Sequence, residues 1–585
     1  MRNYKPLYVL SLLFLAGIFF FASGSGAMAA TSTLTLVNSA SSAAKTLQIQ
    51  ITYPGKATGK NNPVKEFTAA KQKYATAYKA VSKLPAGKTK SEYIARLNSV
   101  NTIIVRGERY IDAVTAGKLI DRKRAELEKT LLPNKYDQTA HQAYNALSSA
   151  LKSGNAKISL VYGPKTRDLF KKYTVPAESL KTKLLYPSIV KQAINDTDIL
   201  SGNSLTDPKL LPAYKKVILY MDSVINKTYK AQLTAEFQPI HDSLVTKTNG
   251  TDTDLAKTVL LEQRFQELDS LVSPGKSDSK VPALYDSLQI EMNILTASER
   301  NLFAKKISAV MSELNYSVKD LKTLLTKKAK ENGIPPEIVK AIALAENSSL
   351  KQFTANGEVF KSSDNGFGIM QVTPLSNTDV RFDWDTVKYD ISGNIDTGIS
   401  ILKEKWGWTS KRIPLINNQE AAILENWYFT LMAYNGLSST NDPNQAKGIP
   451  YQVRVYNYII NNGQVKPYLL KKEEVKITKN ATSGILSFQD KMQYTTPKKT
   501  LSTQLYKMGE TFELKIQLRF RSTPTTSSKE SYSPKGTKIT IIDGPYEDDK
   551  VANFFNWYKV KTVGSNTIRY IASSNLKIGE DVIKK

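Results

Sequence analysis

A chain of 585 residues is too long for one hydrophobic core and is expected to divide into roughly three to five domains. It has no cysteine, which excludes disulfide-stapled domains, thiolate catalysis and a lipid-modified cysteine anchor. Two histidines, His141 and His241, are too few for the usual zinc peptidase or amidase centre, and the formal charge of +28 implies an anionic partner.

Arg2 and Lys5 precede an apolar run from Leu7 to Ala22, and Ala27-Met-Ala29 has the small-x-small pattern of a leader cleavage site. Residues 1–29 are therefore read as a signal peptide whose removal releases a secreted chain, with no membrane association afterwards. Thr33–Val37 and Thr46–Tyr53 alternate like short strands, so 30–62 is expected to be a short β segment and linker. From Val64 to about Leu325 apolar residues recur at three-to-four spacing, as in Leu261, Phe265, Leu268 and Val272, which predicts antiparallel helical bundles. Breaks are expected at Pro85-Ala-Gly, Leu132-Pro-Asn, Ser201-Gly-Asn and Ser273-Pro-Gly. These patterns give a basic helical domain over 63–205 and a second helical region over 206–315.

The charge is uneven, with 32 Lys and Arg against 14 Asp and Glu between Lys56 and Lys230. Within this stretch Val161-Tyr-Gly-Pro-Lys-Thr-Arg-Asp-Leu-Phe170 resembles the basic helical wall anchor of bacterial surface-layer proteins. That resemblance implies noncovalent attachment to an anionic secondary cell-wall polymer outside a bacterial, Gram-positive cell. The candidate contacts are Arg122, Lys123, Arg124, Lys165, Arg167, Lys171, Lys172, Lys181 and Lys183, each able to make a charge-assisted hydrogen bond to carboxylate or phosphate. A solvated helix face is the alternative for any single one of them. The end of the sequence, Gly579 to Lys585, has no apolar sorting tail, which agrees with noncovalent retention. No nucleic-acid motif accompanies the charge, so nucleic acid is not expected as a partner.

Pro335 and Pro336 are suited to a first helical turn, and Ile338, Ile342, Ala345 and Glu346 fall at i, i+4, i+7 and i+8. Glu346 thus continues the apolar stripe, where desolvation would raise a carboxyl pKa toward general-acid use; a helix-end glutamate that points outward is the alternative the stripe leaves equally open. Gly368-Ile-Met-Gln-Val-Thr-Pro374, Asn394-Ile-Asp-Thr-Gly398 and Ala433-Tyr-Asn-Gly436 follow in order. Together these four blocks resemble the soluble lytic transglycosylase family, relatives of goose-type lysozyme. The resemblance implies an α-rich lysozyme-like domain over 316–465 that cuts the β-1,4 bond between N-acetylmuramic acid and N-acetylglucosamine. Glu346 would act first as acid, then as base toward the muramoyl 6-hydroxyl, leaving 1,6-anhydro ends without metal or organic cofactor. Ser362, Gly368, Met370, Gln371, Tyr434 and Asn435 are the implied substrate-binding residues, with Ser363 competing for the place of Ser362. Trp384, Trp406, Trp408 and Trp427 include candidate sugar-stacking rings, each of them otherwise core. Asp364, Asp383 and Asp385 leave hydrolysis by an activated water open. Asn347 stands where the family has serine, and the loop from Glu346 to Gly368 is several residues longer than usual. A glycan-binding surface protein that does not cut is the rival reading.

After the polar stretch 466–510, expected to be a linker, Ile516–Ser528, Lys535–Ile542 and Trp557–Lys561 read as short strands. They resemble the bacterial SH3-like repeat, which implies a small β-barrel over 511–580 that targets the wall. The fold class expected for the whole is multidomain and mainly α, with helical bundles, a lysozyme-like domain and that small barrel.

Overall fold

The computed structural model describes residues 26–444 and 448–585. The leader expected over 1–29 lies almost wholly outside the described residues. The chain divides into two compact units, Met1–Leu244 and Val245–Lys585. Among the described residues no helix is long and apolar enough to cross a membrane.

The first unit is helical: α1 (Gly26–Ile51), α2 (Val64–Ser82), α3 (Lys88–Leu131), α4 (Gln138–Ser159), α5 (Pro164–Asp168), α6 (Lys171–Lys183), α7 (Leu185–Asn203), α8 (Leu210–Tyr220) and α9 (Lys227–Thr248). The strands expected over 33–37 and 46–53 are not formed, because that sequence as far as Ile51 lies in α1 and Thr52 and Tyr53 begin the turn after it. Val37, Ala40, Ala44, Leu47 and Ile51 recur at steps of three and four and are all buried against neighbouring helices. A helical stripe therefore outweighs the local alternation. The loop after α1 is fixed by the buried Tyr110 of α3, whose hydroxyl accepts from Gly59 N at 2.9 Å and donates to Asn61 at 2.6 Å. The breaks near Pro85 and Pro133 separate helices as expected, whereas Ser201-Gly-Asn is the last turn of α7. The division between the two units falls after Leu244.

The second unit continues with α10 (Asp254–Leu271), α11 (Val281–Glu291), α12 (Ala297–Ser312), α13 (Val318–Glu331), α14 (Pro336–Glu346), α15 (Trp384–Tyr389), α16 (Ile391–Trp406), α17 (Tyr428–Asn435) and α18 (Tyr451–Asn461). Leu261, Phe265, Leu268 and Val272 are buried on the expected stripe. Short strands β1 (Leu415–Ile416), β2 (Thr478–Lys479), β3 (Leu486–Ser487) and β4 (Gln493–Tyr494) follow, β1 pairing with β4 and β2 with β3. The stretch 466–510 is therefore no free linker. Its backbone N–H groups at Tyr468 and Thr500 donate to the buried Glu425 carboxylate, and Thr503 N donates to buried Glu337. Burying those carboxylates requires such partners, which ties the segment to the helices.

The C-terminal sheet comprises β5 (Thr511–Leu514), β6 (Leu518–Arg521), β7 (Glu530–Ser533), β8 (Lys538–Tyr546), β9 (Trp557–Thr562), β10 (Ile568–Ala572) and β11 (Val582–Lys584). Its order is β11-β5-β8-β9-β10-β6-β7, antiparallel throughout. The expected barrel is not closed. β7 and β11 are edges that do not pair with each other, and β11 is a three-residue strand followed by Lys585, a form that blunts an exposed edge. Alternate residues Ile539, Ile541, Tyr558 and Val560 point into one core with Phe512, Phe520 and Ile571.

Candidate active site

The helix α14 is apolar on nearly every side, with Ile338, Val339, Ala341, Ile342 and Ala343 fully buried. It delivers Glu346 at its last position to the wall of a cavity of about 610 Å³. Most of the Glu346 side chain is enclosed and one edge opens into the cavity. Its carboxyl pKa is pushed up to about 7, chiefly by burial and further by the charge of Asp364, while Tyr451 and Arg454 pull it down. The buried Tyr451 hydroxyl acts on this carboxyl, although it makes no hydrogen bond of full geometry with any group.

The loop opposite is built by buried amides. Gln352, fully buried, accepts from Ile369 N at 2.9 Å and donates to the carbonyls of Val387 and Lys388. Asn394 accepts from Met370 N at 2.8 Å and donates to Phe367 and Val387. Between these two side chains Gly368 has φ +77°, and a Cβ there would meet both at 2.5 Å or less, so only glycine fits. On α16 a Cβ at Gly398 would meet Met370 at 2.6 Å, so the second glycine lets the helix touch the loop. Asn347 is buried, donates to Lys351 O at 2.8 Å and Gly368 O at 3.2 Å, and accepts from Ser349. The residue that departs from the family serine thus ties the long loop to the end of α14 and does not line the cavity.

Ser362, Gln371, Tyr434 and Asn435 line the same cavity as Glu346, while Gly368 and Met370 stand behind it. Ser362 accepts from Gly366 N at 3.0 Å; the competing Ser363 does not line the cavity. Gln371 takes a left-handed φ of +46° and donates to Gly368 O. The Tyr434 hydroxyl donates to Met370 O at 3.2 Å, and its ring stacks on Tyr451 at 6.2 Å. Of the three aspartates only Asp364 reaches the cavity, because Asp383 caps α15 and Asp385 lies in its first turn. Of the tryptophans only Trp408 lines it; Trp406 and Trp427 stack on each other at 4.1 Å, and Trp384 donates to Asp379 O.

Sequence reasoning missed Tyr451 and Arg454 on α18, and Gln352. A signal for α18 existed: Tyr451, Val455 and Ile459 recur at four-residue spacing after Pro450, and all three are buried.

The order of α14, the glycine loop, α16 and α17 around one enclosed carboxyl can be compared with known families. Residues 323–449 match the Transglycosylase SLT domain. The SLT match takes in α14, the loop and α17, and stops two residues short of Tyr451. Residues 47–178 match a second family, the SbsC C-terminal domain. Among solved structures, "Structure of surface layer protein SbsC, domains 1-6" is 25% identical, covering 36% of this chain and 31% of that one, with a TM-score of 0.32. "Crystal structure of the S-layer protein rSbsC(31-844)" is 26% identical over 36% and 31%, TM-score 0.32. This chain therefore spans about a third of the length of those structures. No curated protein matches.

In the first unit the candidate anchor residues are unequally placed. Arg122 and Lys123 share Glu126, and Arg124 lies between Asp121 at 2.9 Å and Glu128 at 2.6 Å. Lys171 pairs with Asp168, Arg167 donates to Val161 O, and Lys172 donates to Thr58 O. Lys165, Lys181 and Lys183 have no ion-pair partner among the described residues, so α5 and α6 hold the uncompensated charge and the α3 cluster is balanced.

Proposed function

We propose that the protein is a peptidoglycan lytic transglycosylase held at the bacterial cell surface by its first, basic unit. The observation that carries this is Glu346, a single enclosed carboxyl with a pKa of about 7, within a region that matches the SLT domain. A carboxyl half-protonated near neutrality can donate to the glycosidic oxygen between N-acetylmuramic acid and N-acetylglucosamine and then, as carboxylate, take the proton of the muramoyl 6-hydroxyl. The C6 oxygen bonds to the anomeric carbon as the glycosidic bond breaks, which closes the 1,6-anhydro ring. Tyr451 and Arg454 favour the carboxylate and Asp364 the acid, so one group can serve both steps. Gln371, Tyr434, Asn435 and Ser362 would position the sugars.

The SbsC C-terminal domain match over 47–178 supports attachment of a secreted chain to a wall polymer, with Lys165, Lys181 and Lys183 as first contacts and the paired arginines and lysines exchanging partners. Digestion of purified peptidoglycan by the wild type and by Glu346→Gln, followed by mass spectrometry, tests the catalytic part. Anhydro-muramoyl ends lost in the variant are the expected result, and reducing ends would mean hydrolysis by water, with Asp364 on the cavity wall as the candidate to activate it. Walls bound equally by both proteins and cut by neither would favour the glycan-binding surface protein.

A further inference from the structure

The cavity at Glu346 is lined by four cationic side chains, Arg381, Lys405, Arg412 and Arg454, against the two carboxyls of Glu346 and Asp364. Two of the four are already committed. Asp379 holds Arg381 through several contacts of 2.7–3.1 Å, and Arg454 acts on the Glu346 carboxyl. The other two converge on one indole: Lys405 Nζ lies 3.8 Å and the Arg412 guanidinium carbon 3.9 Å from the centre of the Trp408 ring. Lys405 has Glu404 at 3.0 Å, while Arg412 has no carboxylate partner among the described residues.

This group is fixed by the backbone. Trp408 follows directly on the last turn of α16, and its carbonyl accepts from Lys411 N at 3.0 Å, Arg412 N at 2.8 Å and Ile413 N at 3.3 Å. Ser410, at φ +61°, closes the same turn. Two like charges brought within 4 Å of one ring repel each other, and each cation–π contact at a partly exposed ring returns only about 0.5–1 kcal/mol. An anion taken up beside the two cations would relieve that repulsion and collect charge-assisted hydrogen bonds, with the indole holding both side chains in place.

We propose that Lys405, Trp408 and Arg412 form a subsite of the cleft that takes a negatively charged substituent of the glycan strand, a carboxylate of the sugar or its peptide, or a phosphate that links a wall polymer. This rests on the glycan reading of the Glu346 cleft and adds which strands the cleft prefers. Arg412 is exposed, so Arg412→Gln leaves the fold intact, and Arg412→Lys keeps the charge without the planar fork.

The test measures binding in the Glu346→Gln protein, where cleavage cannot confuse the reading. The probes are defined strands: untreated, freed of polymer phosphodiesters with hydrofluoric acid, or with carboxylates converted to amides. Arg412→Gln should weaken binding to untreated strands about tenfold, flatten its salt dependence, and be partly rescued by Arg412→Lys. If that penalty disappears on amidated strands the anion is a carboxylate, and if it disappears on acid-treated strands it is a phosphate; either result supports the subsite. Affinities unchanged by Arg412→Gln and Lys405→Gln on every strand, or reduced equally on strands given both treatments, would overturn it. Failure of the catalytic reading looks different: wild-type protein would release no fragments whatever Arg412→Gln does to binding.

Discussion

The two ends of α14 carry glutamates nine residues apart that meet opposite fates. Glu337, at the N-terminal end, is 1% exposed and accepts from Ser502 Oγ at 2.7 Å and Thr503 N at 2.9 Å. One turn on, Lys340 is fully buried and donates to Glu547 at 2.8 Å and Asn556 at 2.7 Å in the C-terminal sheet, while Thr326 of α13 donates to the same Glu547 oxygen. Burial raises the pKa of Glu337 as it raises that of Glu346, and it lowers that of Lys340. Desolvation alone therefore does not make a catalytic group. Glu337 has a closed set of donors and no route to a ligand, so it serves to hold α14 in place. Glu346 has one loosely placed hydroxyl and an open edge. The sheet read from sequence as a targeting module is part of what holds α14.

Removing the chemical end should have the largest effect. Glu346→Gln is expected to lower fragment release from peptidoglycan by about a thousandfold or more, with an unchanged circular dichroism spectrum. Breaking the structural end should act on the fold instead. Lys340→Met takes the nearer cation from buried Glu547, leaving Lys322 at 3.9 Å, and should cost about 3 kcal/mol in urea unfolding; Lys340→Met with Glu547→Leu should recover much of it. A stability loss below about 1 kcal/mol in the single variant would show that the sheet does not brace α14.

A third comparison sets the two ends against pH. The native state keeps a proton on Glu346 up to about pH 7, whereas the unfolded chain releases it near 4.5, so stability contributed by the protonated form fades as pH rises between those values. Glu346→Gln should therefore be the more stable protein at pH 8, by on the order of 2 kcal/mol, and should lose that advantage at pH 4. Thermal unfolding at the two pH values reads this directly. The smallest effect is on the activity profile. Wild-type cleavage should fall as pH rises through about 7, and Tyr451→Phe or Arg454→Gln, each removing an influence that lowers the Glu346 pKa, should move that fall to higher pH. A fall moved to lower pH would mean that these side chains favour the acid instead.

What could be read from the chain was short-range. The helical stripe that ends in Glu346, the glycine loop, Asn394 with Gly398, and Tyr434 each lie in a few consecutive residues, and those blocks fold into one cavity with Ser362, Gln371 and Asn435 on its wall. Their spacing also marked the helices from Val64 onward. The first helix was misread because Thr33–Val37 and Thr46–Tyr53 satisfy a two-residue alternation as well as part of a helical stripe. Burial of Val37, Ala40, Ala44 and Leu47 on one face decided between them.

The brace was not legible in the same way. Lys340 and Glu547, or Glu337 and Thr503, are charged or polar residues far apart in sequence, in segments whose own patterns signal a solvated surface. Burying a charge is favourable only when the partner is already in place, a condition no local window contains. The sequence by itself determined the mainly helical class and the uneven charge, which follow from composition and three-to-four spacing, and the resemblance of its four blocks singled out Glu346 as the candidate carboxyl. Only the tertiary structure decided that 466–510 is structural, that the C-terminal sheet stays open and holds α14, and that burial raises the pKa of Glu346 with Tyr451, Arg454 and Asp364 adjusting it, because each depends on contacts between residues distant in the chain.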